Sequence, residues 1–211
     1  MALYLLEKRE DGSTLGIWEI TETEKQLCDI CSLSHEEREE LSRMGSEKRR
    51  KERIVVTALL QTMWGEPVLA GHHPNGRPFL LNRSEELSIA HTHRFAVVLT
   101  HPQKRVGVDI ESLERNFSAV EKKALSREEQ ESLSRESRSL QLAILWSAKE
   151  ALYKCVSQEN VDFATQIKIE PFDPQESGIL CARLFIKDQS NATFFLKYKT
   201  IDNHMLVYTV E

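Results

Sequence analysis

Residues 107–111 read Gly-Val-Asp-Ile-Glu. In a β-strand, residues two apart point to the same face, so Asp109 and Glu111 would lie side by side while Val108 and Ile110 face the other way. Adjacent carboxylates repel each other, and the pKa of one rises unless a cation lies between them. Mg²⁺ typically binds one or two carboxylates together with substrate phosphates and water. The stretch therefore predicts a strand that carries either a divalent metal site or a solvated face with two ordinary acids.

A second informative stretch, residues 146–154, reads Trp-Ser-Ala-Lys-Glu-Ala-Leu-Tyr-Lys and has the composition of a helix without a breaker. Glu150 and Lys154 are four residues apart, so they share a helix face and can form an ion pair. One interpretation is a third carboxylate for a metal and an ammonium for a phosphate. The alternative is a surface ion pair worth a few tenths of a kcal/mol, on a helix anchored by Trp146 and Leu152.

Strands are predicted along the whole chain from β-branched and aromatic runs bounded by turn residues. The order of a strand pair, helices, strands, helices and a strand group indicates an α+β fold with two similar halves, 1–103 and 104–211. The predicted strands are Leu3–Glu7, Leu15–Ile20, Leu87–His91, Phe95–Thr100, Val106–Glu111, Gln166–Glu170, Ile179–Lys187, Thr193–Ile201 and Met205–Val210.

Helix and loop signals fill the intervals between the strands. Long helices are predicted over Glu47–Trp64 and Leu140–Lys154, and Gly71–Pro78, rich in His, Pro, Asn and Gly, predicts a loop. In a capping box, a hydroxyl and a carboxylate satisfy the N–H groups at a helix start. Capping boxes are predicted at Thr21, Ser34 and Ser126.

The composition is that of an ordinary globular protein, because 40% of the residues are hydrophobic and 29% are charged. These values exclude the disordered and fibrous classes. The net charge of −5 disfavours a general nucleic-acid binder, which should be basic, so we expect no nucleic-acid partner. Residues 41–105, however, hold eleven basic and five acidic side chains and five of the seven His. One cationic block in an acidic protein predicts a local binding site for an anion.

The sequence also bears on the cellular compartment. No apolar stretch approaches the roughly 18 residues that a spanning helix needs, and the first residues lack the pattern of a signal peptide. We therefore expect a cytoplasmic protein without a membrane partner, with its four Cys reduced. Cys28 and Cys31 form a C-x-x-C pair, which predicts a redox pair, half of a zinc site, or two thiols on an amphipathic helix.

Three short stretches in the cationic block could hold an anion. In Asn75-Gly76-Arg77-Pro78, Gly allows close backbone approach, Arg offers a planar fork for phosphate and Pro fixes the loop; the alternative is an ordinary turn. In residues 90–93, His91 could contact a phosphate, or His91 and His93 could bind a metal with further ligands; the alternative, which we favour for His93, is an ordinary histidine without a ligand. The basic run 48–53 lies near a helix start, where cations oppose the helix dipole, so it either holds an anion or forms a charged helix face.

Together these segments resemble the 4′-phosphopantetheinyl transferases, specifically the Sfp-type branch. The resemblance rests on Gly-Val-Asp-Ile-Glu at 107–111 and Trp-Ser-Ala-Lys-Glu-Ala-Leu-Tyr-Lys at 146–154, separated as the family separates them. The turn at 75–78 is similar to the family's G-[KR]-P turn, and Ala-His-Thr at 90–92 is similar to its S-H-S strand. The matching motifs extend from about Lys48 to Lys154.

The resemblance implies a fold of two pseudo-symmetric α+β halves, each a small antiparallel sheet packed on a long helix, with the coenzyme A site between them. The second half would carry the metal and catalytic residues. Lys154 would contact the pyrophosphate and protonate the leaving group, and Glu129 would act as base or metal-water partner, with Glu128 in reserve. The residues implied as Mg²⁺ ligands are Asp109, Glu111 and Glu150.

The resemblance also implies that the first half contacts the adenine and the 3′-phosphate of coenzyme A. Ala90 stands where the family usually has Ser, and Thr57 stands where many relatives carry Arg, which puts the affinity for the coenzyme in question. The residues implied as coenzyme contacts are Lys48, Arg49, Arg53, Gly76, Arg77, Pro78, His91, Thr92 and Lys154.

The implied activity is Mg²⁺-dependent transfer of 4′-phosphopantetheine from coenzyme A to a serine of an acyl or peptidyl carrier protein. Adenosine 3′,5′-bisphosphate is the second product, and the length of the chain predicts a monomer. Two alternatives stay open. One is a metal-dependent phosphohydrolase that uses Asp109, Glu111, His91 and His93. The other is a coenzyme A-binding module without turnover.

Overall fold

The structure, a computed structural model, describes residues 2–158, 160–185 and 191–211. The chain forms two compact units, Met1–Gln103 and Lys104–Glu211. Each unit combines an antiparallel sheet with helices, so the prediction of an α+β fold is confirmed. None of the described helices is both long and apolar enough to cross a membrane.

The first unit contains a four-stranded antiparallel sheet in the order β1-β2-β6-β5 and a separate hairpin of β3 and β4. The elements of this unit are β1 (Leu3–Lys8), β2 (Thr14–Glu19), α1 (Glu24–Ile30), α2 (His35–Arg43), α3 (Glu47–Trp64), β3 (Ala70–His72), β4 (Pro78–Leu80), β5 (Glu86–His91) and β6 (Phe95–His101).

Helix α3 organises the core of the first unit because it packs against β2 and β6. It has the predicted bounds, with Ser46 as its N-cap and Gly65, in the left-handed conformation, at its C-terminal end. Val55 and Leu59 of the helix are fully buried with Trp18 and Val98 of the sheet. The packing leaves the basic first turns of α3 beside the end of β5, where Glu52 lies 3.5 Å from His91.

The second unit contains a five-stranded antiparallel sheet in the order β7-β11-β10-β9-β8. The elements of this unit are β7 (Val106–Ser112), α4 (Ser118–Ala124), α5 (Arg127–Glu131), α6 (Arg138–Val156), α7 (Phe163–Gln166), β8 (Ile167–Ile169), β9 (Ser177–Leu184), β10 (Ala192–Ile201) and β11 (His204–Val210).

Helix α6 covers one face of this sheet and lies closest to β7 and β11. Gly107 makes this approach possible, because a Cβ added there would lie 1.9 Å from the carbonyl oxygen of Ala151. Ala148 and Leu152 of the helix are fully buried in the core with Val207 of β11. Glycine at the start of β7 therefore fixes α6 directly over the acidic residues of the strand.

Two of the three predicted capping boxes are confirmed. Ser34 caps α2 and Ser126 caps α5, each with a glutamate three residues later returning the hydrogen bond. The box at Thr21 is wrong, because α1 begins after Thr23, which forms its box with Gln26. Glu22 bonds instead to Trp18 and Thr21, which keeps Thr21 outside the helix.

The prediction of a continuous loop over Gly71–Pro78 is wrong at both ends. Its first and last residues belong to β3 and β4, two strands of three residues each that pair as a hairpin. Gly76, at φ 83°, closes the turn, and the His73 N–H donates to the Arg77 carbonyl oxygen at 2.9 Å. The short strands lack the alternating apolar pattern from which strands are predicted.

The predicted strands all occur with shifted ends, but helices α4 and α7 were not expected. Helix α6 is two residues longer at each end than predicted. The strand predicted over Ile179–Lys187 is observed over Ser177–Leu184, and residues 186 and 187 lie outside the described residues.

The C-x-x-C pair belongs to the core of the first unit. Cys28 lies in α1, and Cys31 follows the helix as a buried thiol whose Sγ donates to the Ile54 carbonyl oxygen at 3.5 Å. Burial raises the pKa of Cys31 to about 12. A thiol with so high a pKa is a poor nucleophile and a poor metal ligand, so the geometry favours two packed thiols over a redox or zinc site.

Candidate active site

Strand β7 and helix α6 bring three carboxylates together, and we call Asp109, Glu111 and Glu150 the carboxylate cluster. Asp109 and Glu111 alternate along β7, paired with Val207 and Met205 of β11, on the face that α6 covers. Glu150 comes from α6, as does Lys154. The strand and helix motifs, 35 or more positions apart in sequence, thus form one site in the fold.

Asp109 is 6% exposed and has two differently placed oxygens. Lys154 Nζ donates to Oδ1 at 2.8 Å and to the Val108 carbonyl oxygen at 3.1 Å. The other oxygen, Oδ2, is buried and has no hydrogen-bond partner among the described residues. A buried carboxylate oxygen without a donor is costly, and a cation would satisfy it.

Glu111 is held by two donors. Trp146 Nε1 donates to Oε1 at 2.8 Å, and the guanidinium of Arg115 forms an ion pair with the same oxygen. Burial and the neighbouring Asp109 carboxylate raise the pKa of Glu111 above its usual range, although Trp146 and Arg115 offset part of this effect. Arg115 and Trp146 were not predicted to act on Glu111.

Glu150 is the carboxylate of the cluster with the most perturbed acidity. Burial first, and then the charge of Asp109, raise its pKa to about 7, while Lys154 acts in the opposite direction. Glu111 adds to the increase. The three acids therefore repel one another in the absence of a cation, as the sequence predicts for adjacent carboxylates.

The donor set of the cluster fits a hard divalent cation. Its acidic side chains offer only carboxylate oxygens, the type that Mg²⁺ prefers, and Asp109 Oδ2 is a buried oxygen without a donor among the described residues. In the described parts of the chain, no group of three or more His, Cys, Asp and Glu side chains is already arranged around a metal position. Lys154 and Arg115 instead lie against Asp109 and Glu111 as internal counter-ions.

Comparison with known proteins identifies a family domain in the part of the chain that contains the cluster. Residues 105–209 match the model of the family described as the 4′-phosphopantetheinyl transferase superfamily. Residues 105–209 are a 4′-phosphopantetheinyl transferase superfamily domain. None of the curated proteins searched matches the chain significantly. The matched range contains both motifs and the whole carboxylate cluster, so the transferase domain coincides closely with the second compact unit.

Within the transferase domain, Glu129 lies apart from the carboxylate cluster. It is 3% exposed, and Lys149 Nζ donates to its Oε2 at 2.7 Å. The backbone N–H groups of Ser126 and Ile169 donate to Oε2 and Oε1 at 2.8 and 3.0 Å. No contact of the described residues joins Glu129 to the cluster. Glu128 is exposed and forms an ion pair with Lys168.

Lys149 precedes Glu150 in the transferase domain. The motif at 146–154 includes it, but the sequence predicts no role for it. Its side chain is 0% exposed, and besides Glu129 its Nζ donates to the carbonyl oxygens of Ala124, Phe163 and Ile167 at 2.7 to 2.9 Å. Lys149 thus ties α6 to the segments before α5 and around α7. A lysine in the middle of an amphipathic helix gives no sequence signal for such burial, because lysines are almost always exposed.

Apart from Lys154, the expected coenzyme contacts lie outside the transferase domain, in the first unit. Lys48, Arg49 and Arg53 follow one another on the first turns of α3, and Gly76, Arg77 and Pro78 form the turn into β4. Arg53 reaches this hairpin, donating to the Ala70 carbonyl oxygen at 3.1 Å and lying 3.3 Å from His72 Nδ1. The helix and the hairpin are therefore neighbours. Thr92 accepts hydrogen bonds from the N–H groups of Arg94 and Phe95 and so shapes the turn after β5.

Most cations of this group already have a carboxylate partner. Arg77 pairs with Glu86, and Arg53 lies 3.5 Å from Glu40. Lys48 and His91 both approach Oε1 of Glu52, at 3.8 and 3.5 Å. Within the described ranges, Arg49 has no ion pair. Several of these cations are thus paired with glutamates, of which Glu52 and Glu86 belong to the block itself and Glu40 lies just before it.

A cavity of about 180 Å³ between α2 and α3 was not predicted. Its lining combines apolar side chains with two glutamates, a threonine and an arginine. Its lining residues are Leu33, Glu37, Glu40, Leu41, Met44, Arg53, Ile54 and Thr57.

Proposed function

We propose that the chain transfers the 4′-phosphopantetheine arm of coenzyme A to a serine hydroxyl of an acyl or peptidyl carrier protein. Mg²⁺ would be the cofactor, and adenosine 3′,5′-bisphosphate the second product. The observation that carries the proposal is the carboxylate cluster, whose buried Asp109 Oδ2 lacks a donor, inside a domain of the transferase superfamily.

Asp109, Glu111 and Glu150 would hold the Mg²⁺. When bound, the cation would neutralise charge on the pyrophosphate during phosphoryl transfer. Asp109 is the strongest candidate ligand, because it combines burial with an oxygen that has no donor among the described residues. Glu150 would contribute from α6, with its side chain set by the close approach of that helix to Gly107.

Proton transfer from the serine needs a carboxylate that can accept a proton near neutral pH. Glu150 belongs to the carboxylate cluster and would accept the proton through a water molecule; its pKa of about 7 is that of the cluster without a cation, and a bound cation would lower it. Glu129 is 3% exposed and already accepts from three donors, so its contacts favour a positioning role over the role of base. We therefore propose Glu150 as the proton acceptor.

We propose that Lys154 acts on the leaving group. Its side chain is 29% exposed, and its Nζ is oriented by Asp109 and the Val108 carbonyl oxygen. The serine oxygen would form a bond to the phosphorus that carries pantetheine, and the bond from that phosphorus to the adenosine 5′-phosphate oxygen would break. Lys154 would donate a proton or hydrogen bond to this departing oxygen.

We also propose a division of labour between the units. Residues 104–211 would carry the metal and catalytic groups, and residues 1–103 would contact the adenine and 3′-phosphate of coenzyme A. The clustering of Lys48, Arg49 and Arg53 on the exposed first turns of α3, next to the hairpin that contains Arg77, supports the second assignment. We further propose that the chain acts as a monomer.

The test is modification of a panel of apo carrier proteins with coenzyme A and Mg²⁺, read by intact mass. Transfer adds about 340 Da to an acceptor and releases adenosine 3′,5′-bisphosphate. Release of phosphate or nucleotide without any added mass would instead establish the phosphohydrolase. Tight coenzyme A binding that does not depend on Mg²⁺, without either reaction, would establish a binding module.

A further inference from the structure

Two side chains from different elements converge on one oxygen of Glu111. Trp146 on α6 donates its indole N–H to Oε1 at 2.8 Å. Arg115, in the turn after β7 and four residues beyond Glu111, directs Nη1 of its guanidinium at the same oxygen. No donor among the described residues reaches the other oxygen, Oε2. The carboxylate is therefore held on one side only.

Aromatic rings, in addition to the ion pair with Glu111, contact the side chain of Arg115. Its guanidinium carbon lies 5.3 Å from the ring centroid of Phe117 and 5.4 Å from the ring of Trp146. Such contacts between a guanidinium and aromatic rings stabilise the orientation of the planar group. Trp146 is itself packed 5.9 Å from Phe163. The two donors thus support each other as well as Glu111.

We propose that Arg115 and Trp146 are positioning residues that bind Oε1 of Glu111 and leave Oε2 available to a divalent cation. The proposal rests on the proposed function, since it requires a metal at the carboxylate cluster. Outer partners of this kind orient metal ligands in proteins, and their loss typically costs about 10- to 100-fold in metal affinity.

Because Arg115 is positively charged, the direction in which the metal affinity changes on its removal distinguishes an electrostatic role from a positioning role. By charge alone, a guanidinium repels a divalent cation, so its removal should tighten metal binding. If Arg115 instead orients Glu111, its removal should weaken metal binding in spite of the lost repulsion. Trp146 offers a neutral comparison, because Trp146→Phe removes the N–H donor and keeps an aromatic ring without changing charge.

The experiment measures the binding of Mn²⁺, a paramagnetic substitute for Mg²⁺, to the full chain by electron paramagnetic resonance. The variants are Trp146→Phe, Arg115→Ala and Arg115→Lys. Arg138→Ala is the matched control, since Arg138 is also ion-paired, with Glu121, and is 41% exposed against 43% for Arg115. The melting temperature of each variant shows whether its fold is kept.

We expect Trp146→Phe and Arg115→Ala to weaken Mn²⁺ binding about 10- to 100-fold. Arg115→Lys should recover part of the loss, and Arg138→Ala should bind like the wild type. Unchanged or tighter binding by Arg115→Ala would overturn the proposal, and the two Arg115 variants decide it even if Trp146→Phe fails to fold. If the wild type and Asp109→Ala both fail to bind Mn²⁺, the metal assignment of the proposed function falls first and the positioning role with it.

Discussion

Lys149 and Glu129 form an enclosed ion pair, with Nζ 2.7 Å from Oε2 and side chains that are 0% and 3% exposed. Three carbonyl oxygens accept from the same Nζ, and two backbone N–H groups donate to the carboxylate. Every proton of the ammonium therefore has an acceptor. The pair joins the capping box of α5 to the helix that carries Glu150.

Lys149→Met should destabilise the protein strongly. It removes one partner of a buried ion pair and leaves the Glu129 carboxylate without its counter-ion, which costs about 3–5 kcal/mol. The free energy of unfolding from urea titration measures the loss. Lys168→Met is the control, because Lys168 pairs with the exposed Glu128 and its loss should destabilise the protein far less. Equal effects of the two substitutions would show that the Lys149 pair is not enclosed in solution.

Glu150 should make the stability of the metal-free protein depend on pH. Its pKa is raised from 4.5 to about 7 in the fold, so the folded state binds the proton more tightly than the unfolded state between these values. Ionisation is thus disfavoured in the fold, and stability falls as the pH rises through this window. Glu150→Gln, which cannot ionise, should raise the melting temperature in a chelator by about 2–4 °C at pH 8 and by less at pH 5.

Glu136→Gln is the control for this experiment, since Glu136 is an exposed acid in the same unit. Its melting temperature should follow that of the wild type at both pH values. A shift for Glu150→Gln that is the same at pH 5 and pH 8 would contradict the raised pKa.

Glu52→Gln should strengthen the binding of coenzyme A. Glu52 lies near both Lys48 and His91, so its removal releases two groups that we assign to the coenzyme phosphates. The expected decrease in Kd is up to about fivefold, the scale of one partly exposed ion pair. Isothermal titration calorimetry measures it, with Glu47→Gln as a control of equal charge on the same helix. If both substitutions change the Kd equally, only the overall charge matters.

Much of the fold could be predicted because its signals are local. The alternation of Val108, Asp109, Ile110 and Glu111 predicted a strand with both acids on one face, and β7 has them on the face under α6. The helix over Glu47–Trp64 has the predicted bounds because a cap and a glycine mark its ends. The box at Thr21 was wrong because a competing box two residues later, formed by Thr23 with Gln26, caps the helix instead.

The site was harder to predict than the fold, because its partners come from distant parts of the chain. The sequence motifs name the three carboxylates and Lys154, but no local pattern shows that Trp146 donates to Glu111 or that Lys149 is buried against Glu129. The charge of residues 41–105 indicated an open cationic patch. In the structure, Glu86 of the same block lies against Arg77 and Glu40 of α2 lies against Arg53, so these two arginines are already paired.

The measurement that tests the central claim most directly is the labelling of an apo carrier protein by Asp109→Ala, with coenzyme A and Mg²⁺ present. Asp173→Ala, an exposed acid of the same unit, is the control. We expect wild type and Asp173→Ala to add about 340 Da to the acceptor, and Asp109→Ala to be at least about 100-fold slower with a melting temperature close to that of the wild type. Labelling by a folded Asp109→Ala variant at the wild-type rate would contradict the assignment of the carboxylate cluster.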